Sequence, residues 1–400
     1  MSHPHHPTLL HKRLPYFGRG LVRNGLVAEY PFNTGSGQTV PDVSGNGNHG
    51  TLGSTSGVDT NDPAWHPLGL SFDGVDDVIT GQPSATDVYT YMGDGVYGIG
   101  RVRGHRAKNG GKAVCDLRYN RLLTTAEKTR NLQYVSSLAR RRGFTGTVYK
   151  EAFPIPCTAG LMDVSITGAP VLWVFPDGTT STASRPAKTL EANGTVWVYC
   201  SDWSDSDLTI IDNGTYSRYV GDLKDLPPSL TNYLDLARCS LITGDLADLP
   251  ALTYYLDLYN CSLVTGDLAD LPALTYYLGL TSCSLITGDL ADLPALTNTL
   301  SLFNCSLVTG DLADLPALTN YLSLYNCPLV TGILSPTAGL KTIDLRGTGM
   351  SANDTDQTLI NLAAVTTQTS GTIQTKGNRT GASDAAVATL QGKSWTVDGS

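Results

Sequence analysis

The sequence predicts a mainly β protein: a β-sandwich and a small β module at the front, then a parallel β solenoid closed by an α/β cap. Three observations predict it. Glycines recur at intervals of 22 from Gly244 through Gly266, Gly288 and Gly310 to Gly332, with Gly221 standing 23 residues ahead of the first. Between residues 25 and 80, short apolar runs alternate with Gly/Asn/Asp turns, as antiparallel strands do. After residue 350 the period stops and two helix-start patterns replace it. Four hundred residues at 41% hydrophobic suffice for two or three cores. No apolar run approaches the roughly 18 residues of a membrane span, so no membrane insertion is expected.

Residues 1–24 read as a basic arm, with Lys12, Arg13, Arg19 and Arg23 supplying its charge. Two readings stand: an assembly element that docks on an acidic neighbour, and a solvated tail. Residues 1–23 hold no apolar stretch of the kind a cleaved secretory signal needs. Synthesis in the cytoplasm is therefore expected, with any exterior role reached by assembly or lysis.

Residues 25–148 read as the sandwich followed by a helix. The carrying strings are Gly25-Leu-Val-Ala-Glu-Tyr30-Pro-Phe32, Asp42-x-Ser44-Gly-Asn-Gly-Asn-His-Gly50 and Leu70-Ser-Phe-Asp-Gly-Val-Asp-Asp77. They resemble the opening of laminin-G-like, concanavalin-type jelly rolls. Tyr119-Asn-Arg-Leu-Leu followed by Thr124-x-x-Glu127 resembles the closing pattern of the same family. That capping box starts a helix to Arg142, stopped by Gly143. Only about 22 residues separate Val78 from Arg101, where the family places several central strands, so the jelly roll is abridged. Asp73, Asp76 and Asp77 are calcium oxygens in one reading and turn-forming or capping carboxylates in the other.

Residues 149–220 read as a smaller β unit: a strand Val171-Leu-Trp-Val-Phe175, a turn Pro176-Asp177-Gly178 and a strand Thr195-Val-Trp-Val-Tyr-Cys200. The W-x-F-x-D-G string resembles small Ig-like modules of the polycystic-kidney-disease-repeat type. The unit is expected to act as a spacer and as the N-terminal cap of the solenoid. Cys157 and Cys200 flank it as a candidate pair, and Cys115 has no obvious partner.

Residues 221–350 hold the repeat G-D-L-A-D-L-P-A-L-T-x-x-L-x-L-x-x-C-S-L-[VI]-T. Leu256-Asp257-Leu258 alternates in, out, in, as a short strand does. Leu268, Leu271 and Leu274 recur every third residue, and Pro272 breaks any α-helix, which predicts a tight or 3₁₀ return. One unit cannot bury its own leucines; stacked units can, at about 1.5–3 kcal/mol for each. At these residues the unit resembles a leucine-rich repeat, L-x-L-x-x-[NC]-x-L with a plant-type T-G-x-[LI] return. It departs from the family at Leu252 to Leu256, which is L-x-x-x-L. Five copies are clear and Leu340-Lys-Thr-Ile-Asp-Leu345 makes a sixth.

Cys239, Cys261, Cys283, Cys305 and Cys327 share one slot of the unit. A column of parallel side chains has no tetrahedral convergence for a metal and no geometry for neighbour-to-neighbour disulfides. They read as reduced, small buried hydrophobes in the slot that other such repeats fill with Asn. Residues 351–400 read as the cap. Ser351-x-x-Asp354 opens a helix to about Ala364, residues 371–376 form a strand, and Ser383-Asp384 starts a helix ending near Gly392. This resembles the end cap of bacterial and phage leucine-rich arrays.

Charge and residue inventory exclude several functions. Residues 1–150 hold 17 Lys+Arg against 11 Asp+Glu, and residues 151–400 hold 10 against 25, which together give the net −9. An acidic solenoid is not expected to bind nucleic acid. All seven histidines lie at or before His105, so the rest of the chain builds no His-based triad or His metal site. Glu29, Glu127, Glu151 and Glu191 are the whole glutamate complement, and no E-x-D-x-x-E pair exists for glycoside hydrolysis. His3, His5 and His6 could hold a metal only adventitiously. A non-enzyme with no cofactor is expected.

Copies within the chain vary at the outward strand slots and hardly at all elsewhere. The first slot holds Tyr233, Tyr255, Tyr277, Thr299 and Tyr321; the second Asp235, Asp257, Gly279, Ser301 and Ser323; the third Ala237, Tyr259, Thr281, Phe303 and Tyr325. This palette suits adaptable binding, and a row of aromatics suits sugar rings. Drift among recently duplicated repeats is the competing explanation. The candidate ligand face is therefore Tyr233, Tyr255, Asp257, Tyr259, Tyr277, Phe303, Tyr321 and Tyr325, with a surface glycan or protein as ligand. These features suit two functions. One is a virion attachment protein, such as a phage tail fibre, anchored to other virion proteins by the arm and sandwich and working as a homo-oligomer. The other is a purely structural head-decoration, surface-layer or adhesin protein, virion-borne or at a cell surface, with the solenoid as a spacer.

Overall fold

The computed structural model describes residues 21–398, apart from 56, 59–61, 68, 73–76, 94–97, 104–110, 144–146, 170, 201–202, 211–218 and 376–378. Lys12, Arg13 and Arg19 of the arm, the histidines at 3, 5 and 6, and Asp73 and Asp76 thus lie outside the described residues. Asp77 is buried. The chain is mainly β, 32% strand and 18% helix, and its longest feature is a parallel-strand sheet compatible with a β solenoid.

Most strands of the front share one sheet. Its spatial order runs Thr180–Ser181, Val171–Val174, Gly194–Cys200, Thr147–Cys157, Gly98–Arg103, Asp87–Gly93, Gly111–Tyr119, Gly69–Phe72 and Ala64–His66, with Leu26–Tyr30 also on Gly111–Tyr119. The interval between Val78 and Arg101 supplies the strands Ile79–Thr80 and Asp87–Gly93 and the start of Gly98–Arg103. Gly98–Arg103 pairs in parallel with Thr147–Cys157, so the sheet runs straight through residue 148, where composition alone suggested a boundary. Alternation along Thr147–Cys157 divides its side chains between two cores. Ala152 joins Tyr30, Phe72, Leu172, Trp197 and Tyr199 under the small sheet Thr39–Val40, Gly50–Leu52 and Ile79–Thr80. Phe153 and Ile155 face the other way, into the core that continues through the repeats.

Helix α1 (Thr125–Arg141) covers part of this sheet, packing Val135 and Ala139 on Val114, Leu117 and Tyr119. Its start is the capping box read from the sequence, Thr124 accepting from the Glu127 amide and Glu127 from the Thr124 amide. Past its end, Gly143 adopts φ +89°. Leu21 and Val22, inside the span assigned to the arm, are buried in this core. They are tied there by a closed polar triangle. The Val22 amide donates to Asn131 Oδ1 (3.0 Å), Asn131 Nδ2 donates to the Tyr119 hydroxyl (2.9 Å), and that hydroxyl donates to the Val22 carbonyl (2.8 Å).

The rear sheet is parallel from Asp207–Ile210 through Tyr233–Asp235, Tyr255–Asp257, Tyr277–Gly279, Thr299–Ser301, Tyr321–Ser323, Thr342–Asp344 and Gly371–Gln374 to Trp395–Asp398. Val164–Thr167 closes its first edge in antiparallel pairing. Asp207–Ile210 is a rung outside the 22-residue period, with Leu208 opposite Leu234. Leu256, Leu258, Cys261, Val264 and Leu268 are fully buried, as are their equivalents in neighbouring rungs. The five returns from Leu223–Asp225 to Leu312–Asp314 each pass through a one-turn 3₁₀ segment such as Leu268–Asp270; the last return, before Thr342–Asp344, does not. Asp267 Oδ1 caps that segment by accepting from the Ala269 amide, while its Oδ2 accepts the hydroxyl of Thr287 on the next rung.

Cys239, Cys261, Cys283, Cys305 and Cys327 are buried thiols. Each Sγ donates to a strand carbonyl of the rung before, for example Cys283 to Leu258 (3.1 Å) and Cys305 to Leu280 (3.0 Å). Burial is the main cause that raises Cys283 and Cys327 to about 12, so they stay protonated at neutral pH. Cys157 and Cys200 form no disulfide. In the strand pair that holds both, Cys157 faces Gly194 and Cys200 faces Glu151. That offset of six residues is about 20 Å, against the roughly 7 Å between Cα atoms that a bridge tolerates.

The cap folds as α2 (Ala352–Val365), the strand Gly371–Gln374, α3 (Asp384–Gly392) and the strand Trp395–Asp398. Leu359, Leu362, Val387, Leu390 and Trp395 complete the repeat core.

This packing makes two stability predictions. Asn131→Ala removes a buried partner from both Val22 and Tyr119, and should cost about 1–3 kcal/mol by urea denaturation; a variant as stable as wild type would show that the triangle does not hold residues 21–22. Gly288 sits at φ +114°, and a Cβ there would lie 2.6 Å from the Leu268 amide nitrogen. Gly288→Ala should therefore cost at least about 2 kcal/mol, and a smaller loss would mean that the rungs can move apart.

Candidate ligand-binding face

Three residues per rung stand on the face opposite the leucines, because Leu256 and Leu258 turn inward and leave Tyr255, Asp257 and Tyr259 outward. In-register pairing aligns them in columns: Tyr233 on Tyr255, Tyr255 on Tyr277, Tyr277 on Thr299 and Thr299 on Tyr321. Rings one rung apart must stack. Tyr233 and Tyr255 lie 4.0 Å apart at 12°, and Tyr255 and Tyr277 lie 4.2 Å apart at 11°. These tyrosines spend their faces on one another and present edges and hydroxyls outward. The candidates are accordingly half-buried, with Tyr259 the exposed one at 39%.

The middle column carries the charge. Asp257 Oδ1 accepts the Tyr259 amide (2.8 Å) and its Oδ2 accepts the Tyr277 hydroxyl (3.2 Å). Burial, chiefly, raises the Asp257 carboxyl above the usual carboxylate range; the Tyr259 amide opposes this, and Asp235 on the preceding rung adds to it. Burial likewise raises Asp235, and it raises the phenols of Tyr233, Tyr255 and Tyr277. At the far end Asp344 is held by the Arg346 guanidinium through two bonds of 3.0 and 2.7 Å.

The third column runs Ala237, Tyr259, Thr281, Phe303, Tyr325 and Arg346. Amide-to-carbonyl bonds link its rungs, Asn260 to Thr281 (2.7 Å) and Ser282 to Phe303 (2.7 Å) among them. Phe303 and Tyr325 stack at 4.6 Å, and Arg346 covers the far face of Tyr325 at 4.9 Å. Arg238 sits over Tyr259 at 5.8 Å. All eight candidate residues thus lie on one continuous face.

Two features of the stack escaped the sequence reading. Tyr254 and Tyr276 stack at 4.7 Å beside the first column and widen the aromatic area. Leu263, Leu285, Leu307 and Leu329 form an exposed apolar row, each 45–51% accessible. In C-S-L-[VI]-T the adjacent Val or Ile takes the core position, and periodicity alone does not separate the two apolar neighbours. Arg23, the described member of the basic arm, lies at a separate pocket of about 600 Å³ with the buried Glu29 and with Tyr134. Among the described residues no group of three or more His, Cys, Asp or Glu is placed to hold a metal ion, and no helix is long and apolar enough to cross a membrane. No family model, no curated protein and no solved structure matches the chain.

The buried acidic column predicts a pH signature. The folded chain holds the Asp257 proton more tightly than the unfolded chain does. This contribution to stability is complete below the unfolded carboxyl value and is lost as pH rises through the folded one. Asp257→Asn keeps the acceptor for the Tyr259 amide and removes the charge. It should melt above wild type at about pH 7, with the advantage gone at about pH 3. An equal advantage at both values would place the effect outside Asp257 ionisation.

Proposed function

We propose that this chain is a non-enzymatic attachment protein of a virion appendage, such as a phage tail fibre. In this reading the repeat stack is a leucine-rich-repeat solenoid whose strand face binds a surface glycan or protein. The front serves as an abridged laminin-G-like jelly roll and Ig-like module that, with the basic arm, anchors the chain to other virion proteins. The supporting observation is where the copies differ. Return residues are constrained, since Asp245, Asp267 and Asp289 each cap a 3₁₀ turn and clamp a Thr of the next rung. The strand face also carries rung-to-rung bonds, at Asp257 and Thr281, yet its residues change from copy to copy and collect Tyr, Phe, Ser, Thr and Asp rather than a random surface assortment.

A second reading, a decoration or surface-layer protein with the stack as a spacer, draws on the near-identity of the returns and of the exposed leucine row. Tyr259→Ser/Phe303→Ser/Tyr325→Ser distinguishes the two. Losing the Phe303–Tyr325 stack costs about 0.5–1.5 kcal/mol, so the melting temperature should fall by only about 2–5 °C. Binding to printed arrays of defined oligosaccharides and of cell-surface proteins should weaken at least tenfold, about 1.4 kcal/mol, because a few aromatic anchors dominate such interfaces. Binding unchanged from wild type, or no binding by wild type to either array, hands the case to the spacer.

A further inference from the structure

The third column has a gap with walls. Tyr259 and Phe303 stand two rungs apart, with Thr281 between them. Phe303 turns one face to Tyr325, and Tyr259 turns one face to Arg238 on the preceding rung. Their remaining faces look toward each other across Thr281. Adjacent rings in this column are 4.6 Å apart, so the two walls are about 9 Å apart. Subtracting one carbon contact distance leaves a clear width of about 5.5 Å. A flat aromatic guest would touch one wall and leave the other bare. A puckered ring with axial C–H bonds on both sides meets both walls.

The floor is made of short hydroxyls. Thr281 and Ser301 lie 2.7 Å apart, oxygen to oxygen. Beside Ser301 on the next rung stands Ser323, which is 1% exposed and whose hydroxyl has no hydrogen-bond partner. Alternation with Leu322 and Leu324 places Ser323 on this same face. Ser323 lies one rung beyond the Phe303 wall, so the slot's own hydroxyls are those of Thr281 and Ser301, which can each donate and accept and suit a ligand rich in groups that do both.

We propose that this slot binds one pyranose unit of an oligosaccharide, sandwiched between Tyr259 and Phe303 and hydrogen-bonded by Thr281 and Ser301. The proposal rests on the reading of the strand face as a ligand surface and narrows its ligand to a sugar. Thr281→Tyr fills the slot by continuing the ring stack from Tyr259 to Tyr325 and leaves the backbone alone. Ala237→Tyr adds a ring at the end of the same column, outside the slot.

The probe is an array of oligosaccharides built from hexopyranose and N-acetylhexosamine units, printed beside the cell-surface protein array. The full chain should bind a subset of the sugars. Thr281→Tyr should weaken that binding at least tenfold without lowering the melting temperature, while Ala237→Tyr binds as wild type. Thr281→Val, which keeps the side-chain shape, should weaken it about threefold or more, and it decides the matter if the tyrosine variant misfolds. Sugar binding unaffected by both Thr281 variants overturns the slot, and the face reading survives if the triple Ser variant still loses binding. Binding to proteins alone, lost in the triple variant, overturns the sugar and keeps the face. No binding by wild type to either array overturns both.

Discussion

The back half of the molecule depends on one constraint: each 22-residue circuit must bring the chain back one strand spacing along, in register, so that leucine lands on leucine. The glycines, the cysteines and the capping aspartates of the repeat can be traced to it. Gly244, Gly266, Gly288 and Gly310 take φ between +114° and +127° and let the return pass within van der Waals reach of the preceding rung. The cysteines are small enough for the inner corner and carry one weak donor, which satisfies a strand carbonyl of the rung before. The Asp–Thr pairs lock the opposite side, Asp267 to Thr287 at 3.1 Å and Asp289 to Thr309 at 3.3 Å.

The same constraint shapes what the strand face can do. Parallel pairing in register puts equivalent side chains about 4.8 Å apart, close to the stacking distance of aromatic rings. Consecutive aromatics in a column therefore bury each other's faces, as Tyr233, Tyr255 and Tyr277 do. Open aromatic faces arise where a column is interrupted. Thr281 interrupts the third column between Tyr259 and Phe303, and Thr299 interrupts the first between Tyr277 and Tyr321. On such a face the small residues between the aromatics matter as much as the aromatics.

Legibility in the sequence tracks the range of the interaction. The capping boxes at Thr124 and Ser351, the helix stop at Gly143 and the 3₁₀ return all rest on contacts within a few residues, and the structure has each of them. The 22-residue period made the stack visible because copies of one local unit announce their own packing. Three features lay out of reach. Parallel pairing of Gly98–Arg103 with Thr147–Cys157 joins segments about 50 residues apart with no shared pattern. Leu208-Thr209-Ile210 is a rung of the stack without the return that marks the others. The third is the stacking itself, because exposure along a column depends on the rungs above and below.

The two ends of the stack show how the front and back halves become one body. A parallel sheet leaves unpaired edges that invite association, and here each end is finished differently. At the first edge, Val164–Thr167 lies antiparallel on Asp207–Ile210, and both strands belong to the middle unit, whose strands Thr147–Cys157, Val171–Val174, Thr180–Ser181 and Gly194–Cys200 sit in the front sheet. Phe153, Trp173 and Trp203 therefore share one continuous core with the leucines of the repeats. At the other edge the short strand Trp395–Asp398 is backed by α3, and Trp395 seals the last layer. Among the described residues the buried apolar cluster runs without a break from the middle unit into the repeats. The columns of the strand face take single residues from successive rungs, so their spacing holds only while the rungs keep theirs.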